Sequence, residues 1–192
     1  VQTFPAMYAV RSPEQRIETS RWRTAYPQCM RAITPNLWFD DNALEAAEFY
    51  VSLFPDSRIT RVMRYTSAGP GPEGEVVTVE FELRGQPFTG INGGPIFSFD
   101  EAVSFAIECD DQAESDRYWD ALLADGGQES QCGWLKDRFG LSWQVYPSEL
   151  AELTGDPDPE RAARATAAML QMRRIDIEAI RAAADGAGQP AS

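Results

Sequence analysis

Two stretches set the architecture, Thr34-Pro-Asn-Leu-Trp-Phe-Asp40-Asp41 and Ser104-Phe-Ala-Ile-Glu-Cys-Asp110-Asp111, seventy positions apart. In each, apolar side chains fall on every second residue, Leu37 and Phe39 in the first and Phe105, Ile107 and Cys109 in the second. That is the period of a strand. Each stretch ends on two acids suited to a helix N-cap, and a helical pattern follows. Ala43, Ala46, Ala47, Tyr50 and Leu53 recur at spacings of three and four, and Tyr118, Trp119, Leu122 and Leu123 lie on one side of the second helix. Three extended segments come next in either half: 58–65, 76–83 and 86–92, then 128–132, 133–136 and 141–146. Gly69 to Gly74, Arg84-Gly85 and Asp125-Gly126-Gly127 supply turns between them. The order β-α-β-β-β occurs twice, which predicts an α+β fold with modules at about 31–95 and 97–146.

Composition narrows the function. Of the 192 residues, 43% are apolar and 24% charged, enough for a substantial packed core without a disulfide scaffold. No apolar run approaches the roughly 20 residues of a membrane helix. The net charge of −13 opposes docking on nucleic acid or anionic lipid, and favours a neutral or cationic ligand over an anionic one. Histidine is absent, which removes Ser-His-Asp triads, Cys-His pairs and imidazole-bound metals. Cys29, Cys109 and Cys132, an odd number without a CxxC pair, suit reduced thiols and a cytoplasmic location.

The ends differ from the middle. Residues 1–29 carry +2 against −15 for the remainder and show no sustained period. They are expected to form a poorly structured extension, either an over-extended gene start ahead of Met30 or an arm on a partner subunit. Residues 147–185 read as C-terminal helices: Ser148 to Leu153, then one long helix from about Arg161 to Ala184 after the break Gly155-Asp-Pro-Asp-Pro159. Met169, Met172, Ile175 and Ile180 lie along one side of it, to cover either this domain or a second subunit. A frayed tail is expected over 186–192.

Several segments carry a family resemblance: Ile33-Thr-Pro-Asn-Leu-Trp-Phe39, Glu48-Phe-Tyr-Val-Ser-Leu-Phe54, Asn92-Gly-Gly-Pro95, Cys109-Asp-Asp-Gln112, Gln131-Cys-Gly-Trp-Leu-Lys-Asp137 and Phe139-Gly-Leu-Ser-Trp-Gln144. Across 31–146 the chain resembles the PhnB-like family of the vicinal oxygen chelate superfamily, with its glyoxalase, bleomycin-resistance and extradiol dioxygenase relatives. The resemblance implies paired βαβββ modules whose strands curl into a ligand-binding cup, and a homodimer. Many PhnB-like sequences bear the label 3-demethylubiquinone-9 3-methyltransferase. The glycines at 69, 71, 74, 93, 94, 126 and 127 open no helix after a hydrophobic strand, so methyl transfer of the Rossmann type is not expected.

Strand alternation assigns the cup. Ile33, Leu37 and Phe39, and Val103, Phe105, Ile107 and Cys109, are expected to meet the helices, leaving Thr34, Asn36, Trp38, Ser104, Ala106 and Glu108 on the opposite faces. Ser142, Gln144 and Tyr146 are expected on the concave side of the last strand, and Asn92 on that of the strand ending the first module. The resemblance sets Thr34 and Ser104 at the positions of metal-binding histidines, Gln144 at that of the glutamate, and Asn92 as the fourth. Four neutral oxygen donors hold a divalent transition ion poorly, so neither a metal nor another cofactor is expected.

The ligand-binding candidates are therefore Thr34, Trp38, Asn92, Ser104, Gln144 and Tyr146, with Phe88 and Trp134 as further aromatic walls. Trp143 and Phe49 are assigned to the core. Catalytic candidates are Glu80, Glu108 and Cys132, with Glu82 also able to line the cup. The expected function is metal-independent binding of a small organic molecule in the concave cup between the paired modules. An enzyme of lyase, isomerase or dioxygenase type, dependent on a metal or a carboxylate, is the alternative, and an interaction subunit a third.

Overall fold

The structure, a computed structural model, describes residues 33–186. The expectations for residues 1–29 and for the tail beyond Gly186 lie outside the described residues. Between Asp100 and Glu101 the chain divides into two compact units. No helix among the described residues is long and apolar enough to cross a membrane.

The first module runs β1 (Asn36–Phe39), α1 (Ala43–Leu53), β2 (Arg58–Arg64), β3 (Val76–Leu83) and β4 (Gln86–Asn92). Its sheet has the order β1-β4-β3-β2, with β1 parallel to β4 and the other pairs antiparallel. Two parallel strands cannot be joined by a tight turn, and α1 with β2 and β3 supplies the crossover. Leu37, Phe39, Val79, Phe81, Leu83 and Phe88 are buried on one face, with Ala43, Ala46, Ala47 and Tyr50 of α1 buried as well. A Cβ on Gly90 would lie 3.1 Å from the Ala43 Cβ, so small residues on both elements let α1 approach the sheet.

The second module repeats the plan with β5 (Ser104–Cys109), α2 (Gln112–Leu123), β6 (Gln128–Glu129), β7 (Trp134–Lys136) and β8 (Ser142–Pro147), in the sheet order β5-β8-β7-β6. Ile107, Cys109, Leu135, Trp143 and Val145 are buried, as are Tyr118, Trp119 and Leu122 of α2. Two expected apolar positions are exposed instead, Ile33 at 94% and Val103 at 63%. Both precede their strands, whose pairing starts at Asn36 opposite Thr89 and at Ser104 opposite Ser142.

The acidic pairs part company. Asp111 caps α2 as expected, accepting from the Glu114 N–H at 2.8 Å while the Glu114 carboxylate accepts from the Asp110 N–H. At α1 neither Asp40 nor Asp41 is the cap; the Ala43 N–H donates to Asn92 Oδ1 at 2.8 Å, a donor satisfied across the sheet.

The C-terminal segment forms α3 (Glu149–Thr154), α4 (Pro159–Met169) and α5 (Ile177–Ala184), so the single helix expected over 161–184 is interrupted. The interruption has a cause in the sheet. The Cys132 and Gly133 N–H groups donate to the carbonyls of Met172 and Arg173 at 2.8 and 2.7 Å, drawing those carbonyls out of a helical ladder. Gln112 brackets the same stretch, donating to the Ile175 carbonyl and accepting from the Ile177 N–H, both at 2.9 Å. Asp176 then caps α5. Met169, Ile175 and Ile180 nevertheless join one apolar cluster with Leu150, Leu153, Ala165 and Ile177, and Met172 packs against it.

Burial pushes the Cys109 thiol up to about 12 from an ordinary value of 9.0, with Glu114 adding to the effect. The folded state keeps the thiol protonated where the unfolded chain ionises it, so stability is intact below pH 9 and falls as pH rises toward 12. The unfolding free energy from urea titrations is expected to fall more steeply between pH 9 and pH 11 for the native protein than for Cys109→Ala, by up to about 1.4 kcal/mol per pH unit.

Candidate functional site

In each module the helix takes one sheet face and leaves the other open, and register shows what the open face holds. In the first module Trp38 stands beside Ile91, Thr78 and Met63, and Asn36 beside Thr89, Glu80 and Arg61. Glu80 is thus on the predicted face, 3.8 Å from Arg61, and Glu82 pairs with Arg58 at 2.6 Å. Both arginines are about two-thirds exposed, so these pairs contribute little to stability. Trp38 donates from Nε1 to the Gly94 carbonyl at 2.9 Å and meets Phe97 edge to face. Thr34 lies two residues ahead of β1, its carbonyl accepting from Asn36 Nδ2.

Two predicted residues fall on the other side. Asn92 shares the parity of the buried Phe88 and Gly90, and besides accepting from Ala43 it donates to the Val76 carbonyl at 3.1 Å. Its amide holds the end of α1 rather than facing Trp38. Phe88, on the same side, stacks on Phe81 with centroids 5.4 Å apart. A cleft of about 630 Å³ opens at that end of the sheet, lined by Asp40, Asp41, Tyr65, Glu75 and the Asn92-Gly93-Gly94 turn.

The second module gathers more of the candidates. Ser104 stands opposite Ser142, which pairs with Lys136; Gln144 lies between Ala106 and Trp134; Glu108 lies opposite Tyr146. Gln144 Nε2 donates to Ser104 Oγ at 2.9 Å. The Tyr146 ring packs against the C-terminal cluster, and burial, then the Glu108 charge, push its phenol up. At neutral pH it is a protonated hydroxyl. Trp143 is buried, as predicted for the core, and Phe49 on α1 lies 5.7 Å from Tyr50, centroid to centroid.

The open side of β8 is aimed by a buried acid. Asp137, 3% exposed, accepts from the Phe139 and Leu141 N–H groups at 2.9 and 3.0 Å and from Trp143 Nε1 at 2.8 Å. Three donors offset the cost of burying the carboxylate and lock Trp143 on the helix side. Gln144 must then face outward. Sequence reading did not assign this role to Asp137, although its place seven residues before Gln144 was visible.

Cys132 stands apart from that face, in the turn before β7, with its backbone at φ 56°. Burial pushes its thiol up, so the thiol rather than the nucleophilic thiolate is the resting form.

Of the four positions matched to metal ligands, Thr34 and Asn92 lie in the first compact unit and Ser104 and Gln144 in the second. Ser104 and Gln144 satisfy each other, Asn92 serves α1, and Thr34 precedes its strand. No group of three or more Cys, Asp or Glu suited to a metal occurs among the described residues. A divalent transition ion does not fit these donors.

The family profile described as 3-demethylubiquinone-9 3-methyltransferase matches residues 31–146. The chain belongs to this family. Among solved structures it is similar to a putative 3-demethylubiquinone-9 3-methyltransferase, PhnB protein, from Bacillus cereus: 36% identity, covering 61% of this chain and 99% of that one, TM-score 0.56. It is also similar to protein PA1353 from Pseudomonas aeruginosa, at 21% identity over 61% of this chain and 97% of that one, TM-score 0.51, a likeness of fold. No curated protein matches. The PhnB-like family lies in the vicinal oxygen chelate superfamily, whose paired βαβββ plan the two sheets repeat.

Within the PhnB-like turn Asn92-Gly93-Gly94, a Cβ on Gly93 would lie 2.1 Å from the Trp38 ring. Gly93→Ala is expected to force Trp38 off the Gly94 carbonyl and to cost about 1–3 kcal/mol. A lowered unfolding midpoint with altered near-ultraviolet dichroism is the expected result.

Proposed function

We propose that this PhnB-like protein binds a small organic molecule on the open sheet faces of its modules, without a metal, as a cytoplasmic homodimer. The observation that carries the reading is the strip across β7 and β8 from Trp134 to Tyr146. There the Gln144 amide and the Ser104 hydroxyl, bonded to each other, offer neutral polar groups between aromatic walls. Such a mixture of apolar surface and a few oriented polar groups suits a small ligand.

Methyl transfer has less support. The strand-to-helix turns after β1 and β5 carry Asp40-Asp41 and Asp110-Asp111, where a Rossmann-type methyltransferase opens its helix with glycines. A second reading, carboxylate-dependent catalysis, is favoured by one observation, the exposed Glu108 opposite the Tyr146 phenol. In that arrangement Glu108 accepts a substrate proton while the phenol donates a hydrogen bond. The neutral Ser104–Gln144 pair favours the binder.

Native mass spectrometry of freshly purified protein, beside elemental analysis, tests the first reading. The expected species is a metal-free dimer of 21.3 kDa subunits carrying an organic adduct. Gln144→Ala and Tyr146→Ala are expected to lower adduct occupancy about tenfold while the melting profile stays cooperative. A stoichiometric transition ion, or undiminished occupancy in both variants, overturns it. Turnover of the released compound that Glu108→Gln abolishes, with binding retained, identifies the enzyme instead.

A further inference from the structure

The open face of the second module ends in a small pocket of about 110 Å³, lined by Glu101, Gln128, Trp134, Lys136 and Ser142 among others. Lys136, the only lysine in the chain, enters it from the same side as Gln128 and Ser142, its partners across the strands. Within the pocket its ammonium pairs with the Glu101 carboxylate at 2.7 Å. Glu129 also lines the pocket but lies at 3.5 Å from Arg173, in the register of Leu135 rather than of Lys136.

We propose that this pocket receives the carboxylate of a small organic acid, which takes the place of Glu101 on Lys136 while its apolar body lies along Trp134 toward Gln144. The inference rests on the reading of this face as the ligand site. Three features point to it. Glu101 already seats a carboxylate on Lys136, so the pocket's shape and donors suit that group. Its side chain is 49% exposed, and an ion pair so open to water is held weakly enough for a ligand to displace it. Trp134, one residue beyond Leu135 from Lys136, stands on the same face and supplies the apolar contact that Glu101 lacks.

The net charge of −13, which favours a neutral or cationic ligand, acts weakly here. Charges beyond about 8 Å are largely screened at physiological ionic strength. Glu108 stands four residues along β5 from Ser104, roughly 13 Å away in strand rise. The charge felt at the pocket is that of its own lining, where Arg173 offsets Glu129 and Lys136 faces Glu101, the carboxylate that the ligand has to outcompete.

Benzoate and its uncharged counterpart benzamide are the probes, titrated into the full chain while the Trp134 indole and Gln144 side-chain amide signals are followed by NMR. Benzoate is expected to shift both signals and to bind tighter than benzamide. Glu101→Gln should tighten benzoate by up to about fivefold by removing its competitor. Lys136→Met should weaken it about tenfold or more. Neither variant should move benzamide. Equal binding of the two probes at Gln144, or benzoate binding indifferent to both variants, overturns the acid preference and leaves the face as a ligand site. If neither probe disturbs Trp134 or Gln144 in any variant, the ligand face itself is rejected along with the pocket.

Discussion

The parallel pairing of first strand to last, β1 to β4 and β5 to β8, is the constraint on which the rest depends. Side chains along a strand alternate between two faces, so one register decides which side every residue occupies. With Ser104 opposite Ser142, Gln144 falls beside Ala106 and Tyr146 beside Glu108. With Phe39 opposite Asn92, the Asn92 amide is committed to the helix side together with Phe88. A slip of one residue would bury Gln144 and expose Val145. The apolar face beneath each helix opposes that slip, since about 1.5–3 kcal/mol is lost for each large apolar side chain returned to water.

Polar groups reinforce this alternation at the points where strands enter and leave the sheets. Asp137 gathers three donors and fixes the approach to β8, while Asn92 ties β4 to the start of α1. Gln112 and the Cys132-Gly133 backbone hold the segment between α4 and α5. A Cβ on Gly133 would lie 2.9 Å from the Val145 carbonyl, and its φ of +81° favours glycine as well. The C-terminal helices thereby acquire a defined seat, with Tyr146 packed against their cluster. One end of the β8 face thus gains an apolar boundary, and the other end carries Lys136 and Glu101.

Much of this was legible along the chain, because period and punctuation are local properties. The bounds of β3 and β4 match the reading, and the alternation that sets Glu80, Glu108, Gln144 and Trp38 on the faces away from the helices could be counted from the residues. The assignments that failed share a cause. Asn92 and Phe88 share one parity and were both set on the concave side of β4, whose phase is fixed only by its pairing, with Phe88 opposite Phe81 and Asn92 opposite Phe39. The helix over 161–184 had a continuous apolar side, but the demand of Cys132 and Gly133 for two carbonyls lies about forty residues away and leaves no local mark.

The sequence by itself determined the doubled βαβββ order, the two-sidedness of each sheet and the absence of imidazole, since these follow from composition and from periods of two and 3.6. Tertiary structure alone decided the partnerships: Asn92 as the cap of α1 in place of Asp40 or Asp41, Asp137 as the buried anchor of Trp143, and Glu101 as the carboxylate on Lys136. Each of these joins residues whose chemistry permits many partners, and only strand register and chain reversal bring one of them within hydrogen-bonding distance.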